Sequence, residues 1–245
     1  MIVPNARASF GRAEAGIVLG LLANRDSAAR VREEERLREE GFDSLLDDPR
    51  TLNALLTASS LSGVSPGLIY YVLVRHALLE VGVKDRLIAD YVAALLFRFG
   101  LRDHANRIEE RPDERFDYIV DIVAALSTAT GRDAFMLHAH LGNFALWVSG
   151  IFPDRISALV QRRGAPDLGY YEEMGTTGYR LASESSDASR YGLGKLLRNC
   201  AETFPTLRVA LNRVSDRYFF PQRGDPVERL LRQVRDDVRN PATSN

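Results

Sequence analysis

Short polar caps followed by apolar residues at three- and four-residue spacing recur along the whole chain, and no segment alternates apolar and polar residues as a half-buried strand would. This pattern predicts an all-α fold, a compact multi-helix bundle of about ten helices with short connections and no significant β-sheet. The clearest start is Asp225-Pro226-Val227-Glu228. There Asp225 caps free amides, Pro226 suits the first helical position and Glu228 completes a capping box, with a helix to Arg239. Ser65-Pro66 opens a nearly all-apolar helix that Gly82 stops, and Asp85 opens Arg86 to Phe99. The three-residue link Gly82 to Lys84 favours an antiparallel hairpin. Arg86 and Asp90 are expected to pair one turn apart on its outer face.

Further helices are predicted at Ala8 to Ala23, Asp26 to Glu40, Pro49 to Ser59, Asp113 to Thr128, Asp133 to Ile151 and Pro153 to Arg163. The same reasoning places others at Pro166 to Glu184, Asp187 to Thr203 and Pro205 to Phe219. The segment Arg25 to Glu40 should be an exposed helix laced by ion pairs at i to i+3 and i+4. Gly100 to Pro112 lacks periodicity and reads as a charged connector, and Pro241 to Asn245 as a fraying tail.

With 245 residues, no repeat and no Pro/Ser/Gly-rich linker, one domain over 1–245 is expected, with an N-terminal helical layer over 1–100 and a C-terminal one over 113–240. The 33 acidic residues against 32 basic ones leave a formal charge of −1, which removes the electrostatic argument for a nucleic-acid or membrane partner. All basic residues but Lys84 and Lys195 are arginine, a balance expected of a GC-rich coding sequence. Cys200 is the only cysteine, so no internal disulfide forms and a buried thiol in a reducing, cytoplasmic setting is expected. The apolar run Ala15 to Ala23 abuts Glu14 and continues as an amphipathic helix, unlike a secretion signal. No run reaches the roughly 20 apolar residues that a membrane span requires.

Two constellations carry candidate binding groups. Phe135 to Trp147 sets His138, His140 and Asn143 among large apolar residues. Residues two apart on a helix point some 200° from each other, so His138 and His140 do not share a metal. His140, Asn143 and Trp147 share a face on which an imidazole and an amide could orient a polar group beside an aromatic wall. The core alternative is a histidine satisfied by one buried partner, with Gly142 permitting close helix packing. In the Ser65 helix, Tyr71, Arg75, His76 and Glu80 lie within about two and a half turns and either line a pocket or form a buried polar network. Tyr170 and Glu172, in the glycine-containing stretch Pro166 to Arg180, are further candidates to converge on such a pocket. Gly175 and Gly178 there read as a packing contact, a hinge or a break.

Zinc spacings, Glu-x-x-His pairs, phosphate loops, dinucleotide fingerprints and nucleophile elbows are all absent, so no metal or cofactor is assigned. Asp43/Asp47 and Asp113/Asp117/Asp121 have the i to i+4 spacing of magnesium-holding aspartates, a weak excess over the roughly one such pair that chance gives. The reading that follows is a helical protein binding a small molecule in an interhelical pocket, with homo-oligomerisation expected. An enzyme using His140 or His76 as acid/base is the alternative, and so is an interaction scaffold using Arg25 to Glu40 or Asp225 to Arg239.

Overall fold

Aspartate and proline punctuation sets most helix starts in the computed structural model, which describes residues 2–58, 61, 63–101, 104–108, 111, 113–222 and 224–239, the side chains of 228, 237 and 239 excepted. The predicted capping role of Glu228 and the expected fraying of 241–245 fall outside the described residues. The described chain is all-α: 77% of the protein is helical, in 15 helices of which 12 have seven or more residues, with no sheet.

The N-terminal helices are α1 (Ala6–Ser9), α2 (Arg12–Ala23), α3 (Ser27–Glu40), α4 (Phe42–Leu46) and α5 (Pro49–Thr57). They pack around the hairpin of α6 (Pro66–Glu80) and α7 (Arg86–Gly100), the expected antiparallel pair. Asp26, Asp48, Ser65 and Asp85 each accept a backbone amide at the start of the following helix. The expected Ala8 to Ala23 helix is broken at Phe10-Gly11, and α4, absent from the sequence reading, begins where Gly41 adopts φ +82°. On α3 the ion pairs Arg30–Glu34, Arg36–Glu33 and Arg36–Glu40 form as expected. The anticipated Arg86–Asp90 pair does not form. Asp90 is buried and accepts the Arg7 amide, while Arg86 reaches Asp47.

The C-terminal half contains α8 (Ile119–Leu126), α9 (Gly131–Ile151), α10 (Pro153–Arg163) and α11 (Leu168–Glu184). It continues through α12 (Ser186–Arg190), α13 (Gly194–Glu202), α14 (Phe204–Val214), a π-helical turn at Ser215–Phe219 and α15 (Pro226–Arg239). At the centre lies α9, against α11, α14, α8, α10 and α7, while α14 also packs on α6 and so ties the two halves together. Buried residues from Ile2 to Val214 form one continuous apolar cluster.

The α9–α11 crossing depends on glycine. A Cβ on Gly178 would sit 2.8 Å from both the Gly142 nitrogen and the His138 carbonyl oxygen, and one on Gly142 would be 2.4 Å from the Tyr179 ring. Helix α11 runs unbroken through Gly175 and Gly178, so these glycines mark close packing and not a break.

No single helix among the described residues is long and apolar enough to cross a membrane. Helices α9 and α10 pass that test only as a pair bent by 89°, and α9 is mostly buried within the protein.

Candidate functional site

The polar residues of α9 and α6 are dispersed into separate environments. His140 is buried between Phe99, Phe116 and Phe144, at ring separations of 5.8, 5.7 and 6.2 Å, and its Nε2 has no hydrogen-bond partner. Burial pushes its pKa down to about 4, so the ring is neutral at pH 7. Asn143, one turn on, accepts the hydroxyls of Tyr91 and Tyr179 on its Oδ1, at 2.7 and 2.9 Å. His140 and Asn143 therefore serve different neighbours. His138 is half-buried, and burial lowers its pKa as well.

His76 faces the Leu46 carbonyl oxygen, 3.0 Å from Nε2, which makes Nε2 the protonated nitrogen, and burial lowers its pKa. Arg75, almost fully buried, forks onto Asp47 at 2.7 and 3.0 Å and donates to the Lys84 carbonyl. Tyr71 packs edge-on against Phe10, and its hydroxyl, without a partner, is pushed up to about 12 by burial and by Asp43. Glu80 lies elsewhere, bound by Arg217 at 2.7 Å and near Arg213. The partners of these four residues thus lie in different places: Phe10 for Tyr71, Asp47 for Arg75, the Leu46 carbonyl for His76 and Arg217 for Glu80. Cys200 is fully buried, which raises its pKa and keeps it a thiol.

His140 also makes stability depend on pH. The unfolded chain takes up a proton near pH 6.5, whereas folded His140 does so only near pH 4. Stability from this group is complete above pH 6.5 and falls as pH drops through that window, by about 3 kcal/mol at pH 4. Urea unfolding at pH 7 and pH 4.5 should show a smaller acid loss in His140→Leu than in the parent. Equal losses in the two proteins would remove His140 as the source.

Trp147 is the one predicted site residue on α9 that opens onto a cleft. It lies edge-on to Phe99 at 6.0 Å and to Phe152 at 5.5 Å. Phe144, Trp147 and Phe152 form the floor of a groove of about 600 Å³ where α9 turns into α10. The groove is walled by Tyr118, ahead of α8, and Tyr171, on α11. Around it stand Arg115, Arg155 and Arg163, and among its described lining residues Asp117 is the one carboxylate. Asp117 is committed to Arg115 at 2.8 Å and to the Asn106 amide at 2.6 Å, and Arg115 holds its pKa below the usual carboxylate range. Among the described residues no ion pair involves Arg155 or Arg163. Sequence alone does not bring these arginines and tyrosines to Trp147, since they come from three other segments.

Tyr170 stacks edge-on with Tyr171, outside the groove. Glu172 points to a second cleft of about 480 Å³ beneath α15, where it binds the Arg208 guanidinium. Arg208, only 2% exposed, also donates to Asn212 and Asp236. Among the described residues no group of three His, Cys, Asp or Glu side chains is arranged to hold a metal. Comparison with protein-family models, with curated proteins and with solved structures finds no match to this chain.

Proposed function

We propose that this helical protein binds a small organic anion with an aromatic or otherwise apolar body in the Trp147 groove. One observation carries the reading: Arg155 and Arg163, which no ion pair involves among the described residues, stand beside an aromatic floor. Arginine recognises carboxylate, sulfonate and phosphate oxygens through paired donors, and it also lies flat on aromatic faces. An apolar cleft of several hundred Å³ with a few convergent polar groups is the usual form of a small-molecule site. The floor takes the apolar body by removing it from water, and the rim orients the charged end. Arg155 and Arg163, which hold no carboxylate of their own, are available to do so without breaking an ion pair.

Trp147 is the only tryptophan of the chain, so its fluorescence reports the groove directly. Titration with 1-anilinonaphthalene-8-sulfonate should give saturable one-to-one quenching of Trp147 with energy transfer to the dye, at a Kd of tens of micromolar, about −6 kcal/mol. The Arg155→Gln/Arg163→Gln variant should weaken binding at least about tenfold, equivalent to roughly 1.4 kcal/mol. Trp147→Phe should abolish the transfer. Equal affinity for the uncharged N-phenyl-1-naphthylamine, or no effect of the arginine changes, would defeat the proposal.

A further inference from the structure

The last helix, α15, sits on the protein with its polarity inverted. Its charged face is turned inward: Arg229 reaches Asp154 and the Phe220 carbonyl, and Arg232 bridges Asp154 and Asp216. Asp236 receives Arg208. Its aliphatic residues Val227, Leu230, Leu231, Val234 and Val238 are all more than half exposed, Val238 at 77%. Ordinary surface helices do the reverse.

Five aliphatic side chains so exposed leave an apolar patch on the order of 500 Å², as large as monomers usually carry and commonly functional. The inward ion pairs fix the helix against the body, so the stripe is held in place and does not fold back.

We propose that this stripe is the seam of a homodimer, in which α15 of one copy packs antiparallel against α15 of a second. Val227, Leu231, Val234 and Val238 follow one another at intervals of four, three and four residues, the alternation of a two-stranded coiled-coil seam. That series of intervals reads the same from either end. A two-fold axis across the middle of the helix therefore sets Val227 of each copy over Val238 of the other and Leu231 over Val234, every contact occurring twice. Pairing two such patches buries about 1,000 Å², the lower limit for specific association, so the dimer is weak and concentration-dependent.

A lipid surface fits the stripe less well. It has no aromatic residue to sit at the headgroup level, Arg229 and Arg232 are committed to carboxylates, and the chain's charge of −1 draws it to no anionic membrane.

Sedimentation velocity from about 1 to 200 μM should show the 27.3 kDa chain passing from monomer to dimer, with a midpoint in the tens of micromolar. Val234→Glu/Val238→Glu changes only exposed positions and should remain monomeric throughout, with an unchanged helical circular-dichroism spectrum. Val31→Glu, at an equally exposed position on α3, should dimerise as the parent does. A parent protein that stays monomeric over this range overturns the inference, as does a dimer that survives the double substitution. Cosedimentation of monomeric parent with phosphatidylcholine/phosphatidylserine vesicles would overturn it in favour of a membrane surface.

Discussion

Arg208→Met is expected to destabilise the protein by about 3–5 kcal/mol and to lower its Tm by about 10 °C. The Arg208 guanidinium is 2% exposed and receives carboxylates from two directions, Glu172 on α11 and Asp236 on α15, with Asn212 one turn along its own helix. Methionine fills much of the same volume but leaves Glu172 and Asp236, 17% and 9% exposed, without their cation. A largely buried carboxylate left without its partner carries most of that destabilisation. Neutralising the pair as well, in Arg208→Met/Glu172→Gln/Asp236→Asn, should restore more than half of the loss, because the isolated charges and not the missing bonds are responsible. Thermal unfolding of the single and triple variants decides the matter: a single-variant loss below about 1 kcal/mol, or no recovery in the triple, would show that the cluster is solvated in solution.

Gly178→Val should be still less tolerated. Overpacking a dense core typically destabilises by about 1–3 kcal/mol when side chains can shift. Here the first atom of the new side chain meets the Gly142 nitrogen and the His138 carbonyl oxygen, both at 2.8 Å, and backbone cannot rotate aside. The α9–α11 crossing would have to separate, unseating Tyr179 from Asn143 and exposing the surface on which the core is built. Loss well above 3 kcal/mol, or failure to fold, is expected. Gly192→Ala is the informative contrast: a Cβ there meets nothing, and only the left-handed φ of +68° opposes it, at roughly 1 kcal/mol. If the two variants unfold at similar urea concentrations, the crossing is looser than the structure has it.

Helix boundaries were legible where local chemistry alone decides them. Pro153–Arg163 matches end to end because proline opens it and Gly164, at φ +60°, closes it. The helix expected from Asp113 begins only at Ile119, since the Asp121 carboxylate takes the Asp117 and Tyr118 amides while the Phe116 amide bonds Asn106. The stretch Asp187 to Thr203 is divided at Gly192. Side-chain partnerships were less accessible to sequence. Asn143 looks like a companion for His140 on a helical wheel, yet its oxygen is used by tyrosines from α7 and α11, residues 52 and 36 positions away. Trp147 could be identified as an aromatic wall, but Arg155 joins it only because the chain turns by 89° between them. For α15 the helix itself was legible and its orientation was not: the acids that draw its arginines inward, Asp154 and Asp216, lie on α10 and in the π-helical turn.

The central position of α9 also bears on how the chain is made. Its largest partner surfaces are on α11 and α14, which are synthesised after it. At roughly 5–20 residues per second, the thirty or so residues that complete α11 take about 2–6 s, and α14 needs as long again. Throughout that interval the sides of α9 that α11 and α14 will cover, the Gly142 face among them, stand without their native partners. The helix that anchors the finished core is thus one that needs shielding during translation.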